Sequence, residues 1–255
     1  MAAKIRISST TYSKSYLTVA WQTRNQLEDY ERRGFAIFVY LTISAHLESV
    51  LVELLRHRCQ SIRYMLRWEE LPPMELLEGA QKHLCDLKPI YESLFCVVAE
   101  FEKKSYNAPL SNLKELYNVL FSPSIRLIVG DDLYEDLLAL ADLRNMFAHG
   151  RDFFLEYPFT ATGGSFLESN PKASLESNPI KKSALRLYKA GIIKDLNITN
   201  QKQAEFQSAF FADDAILYFY RAVEEIEQKL LEKVTFLPEQ EQFTWTLSKL
   251  PKLEA

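Results

Sequence analysis

Along most of this chain apolar residues recur at intervals of three and four, the period of a helix with one buried face. Residues 15–32 carry a moderate version of the pattern, which Gly34 is expected to end. A long helix is predicted from Phe35 to about Trp68, with Leu47, Leu51, Leu54 and then Arg58 on one stripe. Pro72-Pro73 stops it and opens the next, which runs from about Pro73 to Lys104 with room for a bend at Pro89. Asn107-Ala108-Pro109 reads as a turn, and Ser111 as the cap of a short helix to about Phe121. Gly130-Asp131-Asp132 reads as a loop and N-cap, its two acids complementing the dipole of a helix from Leu133 to His149. Gly150 stands where a left-handed residue closes such a helix.

Beyond Gly150 the texture changes. Arg151–Thr160 is aromatic and extended in character, and residues 184–194 alternate loosely through Leu185, Leu187, Ile192 and Ile193. These two stretches are able to pair as a small β-hairpin. Between them lie Gly163-Gly164 and a tandem Leu-Glu-Ser-Asn-Pro at 167–171 and 175–179, which mark 161–183 as a flexible surface insertion. An amphipathic helix returns over Asp213–Lys233, with Ile216, Tyr220, Val223, Ile226 and Leu230 on one face, and Val234–Ala255 is an irregular tail. The predicted fold is a single all-α domain over 1–255, an antiparallel helical bundle with an insertion at 151–210.

Composition narrows the classes. At 255 residues, 47% hydrophobic and 25% charged, the chain can bury a sizeable core and fold on its own. A net charge of −4 argues against a sequence-blind nucleic-acid coat protein, though it leaves room for a local basic cleft. Cys59, Cys85 and Cys96 are odd in number and lack paired metal spacing, so they read as reduced core thiols. Residues 1–15 contain no apolar leader core, and the greasiest run, Phe35–Leu41, is too short for a bilayer and is followed by Thr42, Ser44 and His46. A cytoplasmic protein without a membrane segment is expected. His46, His57 and His83 form no metal-binding pattern, and the seven glycines form no phosphate loop. No metal or cofactor is therefore expected, and the sequence argues against nucleoside triphosphatase or dehydrogenase chemistry.

The chemistry concentrates in Leu143-Arg144-Asn145-Met146-Phe147-Ala148-His149-Gly150. On an ideal helix Arg144 falls within roughly 20° of Leu133 and Leu137, so a permanent charge sits on the core-facing stripe. Such a guanidinium needs an anion close by. Glu48, midway between Leu41 and Leu55 at spacings of seven, is the natural partner. Two charges on two apolar stripes make either a structural pair or a polar floor beneath a cleft. His149 shares another face with Leu138, Asp142 and Asn145, so Asp142 or Asn145 is in register to hydrogen-bond the imidazole. On the long helix Arg56, Arg63 and Arg67 share a face near Arg58, forming either a phosphate-tracking stripe or, more simply, a solvated face.

The segment Arg144-Asn145-x-x-x-His149-Gly150 resembles the Arg-(four to six residues)-His signature of the HEPN superfamily, whose motif closes a late helix of a mainly α-helical bundle. The resemblance implies a metal-independent endoribonuclease acting on single-stranded RNA and a homodimer in which two motif helices form a composite cleft. It implies His149 as general acid or base, Arg144 as the group stabilising the phosphorane and Asn145 as an orienting or phosphate-contacting residue. Glu48 and Asp142 support them, and Arg151 joins Arg56, Arg63 and Arg67 as candidate RNA contacts. Members act as toxins in toxin–antitoxin or phage-defence systems, with an antitoxin or defence partner, and some are non-catalytic RNA- or protein-interaction modules. In compact members paired with a nucleotidyltransferase antitoxin, a tyrosine stands two positions after the histidine. Arg151 stands there in this chain, so that mode of regulation is not implied.

Overall fold

A computed structural model describes residues 9–65, 81–106, 108–149, 179–199 and 202–233, together with Leu175. Among these residues every regular element is an α-helix: α1 (Ser9–Asn25), α2 (Asp29–Met65), α3 (Gln81–Ser105), α4 (Leu110–Leu120), α5 (Ile125–Val129), α6 (Asp131–Ala148), α7 (Lys181–Lys189), α8 (Gln203–Phe210) and α9 (Asp213–Lys233). The all-α expectation holds.

The 37-residue α2 is the axis of the fold and packs against α1, α3, α4, α6 and α9. Its fully buried residues Tyr40, Ile43, Leu47, Leu51 and Leu54 are spaced at three and four. Over Asp29–Arg63 it holds an 18-residue stretch of mean hydropathy 1.8, long and apolar enough by composition to cross a membrane. Of that stretch 56% is buried inside the fold, which a core helix also requires. The apolar run taken to end at Leu41 therefore belongs to one continuous helix.

The helix starts six residues before the expected position. Asp29 and Glu31 supply acidic groups to the first turn, and the break from α1 falls at residues 26–28 instead of at Gly34. Gly34 is simply an exposed helical residue. A single glycine costs about 1 kcal/mol in a helix, which the long buried face of α2 outweighs.

Two further elements depart from expectation. Residues 184–194 do not form a strand: 181–189 are helical, so the hairpin has lost one of its two arms. Its other arm, 151–160, lies outside the described residues, as do most of 161–178 and the tail 234–255. The insertion assigned to 151–210 is also too broad, because Ile180, Ala184, Leu187, Ile193, Ile198, Phe206 and Phe210 are core residues. The buried positions 180, 183, 184 and 187 have helical spacing, but two of them are serine and alanine. Leu185 faces solvent, so the apparent alternation of leucines came from opposite sides of one helix.

Direction is the other refinement. Contacts of α2 with α6 (Tyr40 to Phe147, Glu48 to Arg144) run antiparallel. The pairs Arg32–Asp213 and His46–Glu227 share one offset of 181 residues, so α9 runs parallel to α2. The long connection after α6 makes that return possible.

Because Gly34 is helical and an added Cβ would meet nothing within 4 Å, Gly34→Ala is expected to stabilise the fold by about 0.5–1 kcal/mol. Urea denaturation checks this; a loss of stability would mean that the chain breaks at Gly34 after all.

Candidate functional site

α6 begins at Gly130, whose φ of 87° ends α5 in a conformation that favours glycine. Asp131 and Asp132 occupy the first turn, as the sequence indicates. Leu137, Leu140, Leu143 and Met146 are buried, and this apolar face fixes the rotation of the helix. Arg144 is thereby set at the margin of the core, with 27% of its side chain exposed.

Glu48 is its partner. Arg144 Nε donates to Glu48 Oε1 at 3.1 Å, and the same oxygen accepts the backbone N–H of Leu110 at 3.1 Å. The second bond caps α4. Ser111, expected to be the cap, lies inside α4 and donates to Asn112 Oδ1, while Pro109 at the N-cap has no side-chain group to offer. Glu48 reaches in from α2 and satisfies the first N–H of another helix. Burial raises the pKa of its carboxyl, and the Arg144 charge and the Leu110 N–H offset only part of that shift.

The rest of the motif spreads outward. Arg144 Nη1 donates to Asn145 Oδ1 at 3.4 Å, a long bond. Its Nη2 has no hydrogen-bond partner among the described residues. His149 is the C-cap of α6, with φ −94° and ψ 7°; its N–H donates to the Asn145 carbonyl at 3.3 Å, and its side chain is exposed. Neither candidate holds the imidazole. Asp142 instead accepts from Lys182 Nζ at 2.9 Å, and the Asn145 amide oxygen faces Arg144. Behind the helix end, Phe147 stacks on Tyr40 at 5.9 Å and meets Phe211 at 6.2 Å. Burial keeps the Tyr40 hydroxyl protonated, and it donates to the Phe210 carbonyl at 2.9 Å. This aromatic cluster anchors the last turn of α6, leaving Ala148 and His149 in solvent.

On α2, Arg56 and Arg63 are paired with carboxylates. Arg63 Nη1 donates to Glu102 of α3 at 2.8 Å, and Arg56 lies 3.9 Å from Glu102 and 4.0 Å from Glu53. Arg58 donates to the Leu120 carbonyl and lies over the Phe121 ring. The arginines read as an open stripe instead join helices to one another. Arg67, Arg151 and Gly150 lie outside the described residues.

Two polar chains escaped the sequence reading. Ser13 Oγ lies 2.9 Å from His46 Nδ1, and His46 Nε2 lies 3.1 Å from Glu227 Oε2. The residue types are those of a hydrolytic triad, but His46 is 0% exposed and both partners are buried, so no substrate can reach them. This is a polar tie among α1, α2 and α9. In the second chain Arg186 makes a two-pronged pair with Asp136, also contacts Asp132, and shares Asp136 with the Tyr218 hydroxyl. Sequence spacing carries no signal for either, because the partners lie 33 to 181 residues apart. No group of three or more His, Cys, Asp or Glu able to hold a metal occurs among the described residues.

No family model matches the chain, and no curated protein or solved structure matches it significantly.

The raised carboxyl of Glu48 sets a pH dependence. A raised folded-state pKa contributes stability at low pH and loses it as pH rises through that pKa. Glu48→Gln removes this term and keeps an acceptor for Leu110 N–H. Relative to wild type, the variant should therefore gain stability as pH rises above the ordinary glutamate value of 4.5. Parallel urea curves check this. A variant that loses ground over the same range would show that the Arg144 charge, not burial, governs the carboxyl.

Proposed function

We propose that the chain is a metal-independent endoribonuclease of the HEPN type that cuts single-stranded RNA with Arg144 and His149. One observation carries the reading. Glu48 engages Arg144 at Nε and leaves Nη2 without a partner among the described residues. An exposed His149 follows about 1.4 turns later and about 140° round the helix, so the long arginine arm must swing towards it. A guanidinium steadied from behind and open in front suits a pentacoordinate phosphorane.

The chemistry follows from these groups. A neutral His149 imidazole takes the proton of a ribose 2′-hydroxyl as its oxygen attacks the adjacent phosphorus. Arg144 donates to the non-bridging oxygens as charge accumulates there. The P–O5′ bond breaks, and an imidazolium delivers a proton to the departing oxygen. The products are a 2′,3′-cyclic phosphate and a 5′-hydroxyl, and DNA is inert because it lacks the attacking group. Asn145 is a positioning residue that acts through Arg144. A single histidine cannot be base and acid in the same step, so the active species is a homodimer that brings two α6 termini together. A toxin or phage-defence role in the cytoplasm, held in check by an antitoxin or partner protein, is the biological setting that fits such an activity.

A second reading is favoured by the Glu48 bond itself. If neutralising Arg144 is the whole purpose of that pair, the chain is a non-catalytic helical interaction module. Arg144→Lys separates the two, because it retains the charge and loses the fork.

Purified protein should cleave single-stranded RNA in EDTA, and His149→Ala should lower the rate by about 10²–10⁴-fold with unchanged helical circular dichroism. Arg144→Lys should be similarly impaired. Full activity of His149→Ala, or an absolute need for Mg²⁺, would refute the reading. Sedimentation of the active protein should give about twice the 29.6 kDa chain mass; a monomer that cuts RNA at full rate would remove the composite site.

A further inference from the structure

We propose that the solvent face of α7 is the track along which single-stranded RNA reaches the His149 end of α6. The choice of ligand rests on the ribonuclease reading above. The track itself rests on the geometry of α7.

α7 reads Lys-Lys-Ser-Ala-Leu-Arg-Leu-Tyr-Lys, and its inner face is fixed by Ser183, Ala184, Arg186 and Leu187. Ser183 Oγ donates to the Ala139 carbonyl at 3.0 Å, and Arg186 grips Asp136 and Asp132. With the inner face locked, Lys182, Leu185 and Lys189 fall within about 60° on the outer face, and Tyr188 a further 60° or so round. All four are exposed, including Tyr188 at 46%. Lys182 and Lys189 stand about 10 Å apart along the axis, with Leu185 between them and the Tyr188 ring at one margin of the face beside Lys189. Cations with a ring beside them suit a strand that alternates phosphate with base.

The face is joined to the motif directly. Lys182 Nζ lies 2.9 Å from Asp142 Oδ2, and Asp142 shares its face of α6 with Asn145 and His149. His149 is seven residues further along, about 10 Å down the axis. The pair is exposed, 48% at Lys182 and 36% at Asp142, so it contributes little and a phosphate can draw the ammonium away. Lys189 marks the other end of the track, beside Asp132. Asp132 is engaged chiefly by Arg186 and more weakly by the Lys189 charge. On α2, by contrast, Arg56 and Arg63 are paired with Glu102.

The test uses the full-length His149→Ala protein, which cannot consume its ligand, and a fluorescent single-stranded RNA read by anisotropy. Lys182→Gln with Lys189→Gln should weaken binding at least tenfold and reduce the salt slope by about 1.4, or 0.7 per lost phosphate contact. Tyr188→Ala should weaken binding roughly tenfold with little change in that slope. Polyglutamate is the second probe and should be insensitive to Tyr188→Ala. Equal RNA affinity across these variants would overturn the proposal. So would polyglutamate binding as tight as RNA and equally dependent on Tyr188, which would make the face an acidic-protein surface. Cleavage is scored separately on the unmutated protein. Binding by this face without cleavage sinks the nuclease reading and leaves the track, whereas cleavage with unaffected variants does the reverse.

Discussion

A single carboxylate oxygen, Oε1 of Glu48, constrains three helices at once. It projects from the central helix α2, takes the first N–H of α4 and holds the Nε of Arg144 on α6. A charge in that position is costly to desolvate, and the raised carboxyl pKa records the cost. The two donors that offset it come from elements 62 and 96 residues away in sequence (110 − 48 and 144 − 48). The oxygen is therefore satisfied only when α2, α4 and α6 are all docked. Rotating α6 by one residue would strand both the carboxylate and the guanidinium.

The same logic recurs elsewhere in the bundle. Greasy helices slide and rotate on one another at little cost, whereas buried polar groups admit few arrangements. Arg24 is almost wholly buried and pairs with Asp213, donates to the Phe211 carbonyl and lies over Trp21. Burial, with a contribution from Arg32, lowers its pKa to about 10, still high enough to keep it charged. Together with the Ser13–His46–Glu227 chain, these contacts fix α9 parallel to α2 and set its register. Arg186 does the same for α7 on α6 through Asp136 and Asp132. Specificity of docking, more than net stability, is the consequence.

This rigidity bears on the motif. The face of α6 that carries Arg144 is locked by Glu48, and its last turn is wedged by Phe147 against Tyr40 and Phe211. The helix ends immediately beyond, so His149 stands on a firm base with a solvent-facing ring. In a ribonuclease of the proposed kind, this arrangement confines the charge-stabilising group and leaves the proton-transferring group free to meet substrate and a second copy.

Much of this could be read along the chain. The three-and-four spacing sufficed for the all-α class, and α6 could be placed to within two residues at its start and one at its end. Its boundary residues act locally there: Gly130 by its backbone freedom, Asp131 and Asp132 through the dipole. Glu48 and Arg144 could be paired because each was a lone charge on an otherwise apolar stripe, a conflict that only another charge resolves. Only the tertiary structure decided the rest. α7 was hidden because its buried face uses Ser183, Ala184 and the stem of Arg186, residues that hydrophobic periodicity does not register. The cap of α4 was assigned to its own serine because a carboxylate arriving from α2 leaves no local trace. Arg56 and Arg63 looked like an open cationic stripe because Glu102, the residue that engages both, belongs to another helix. Periodicity and local propensity are properties of neighbours in sequence, whereas charge pairing, helix direction and remote capping depend on what the fold brings together.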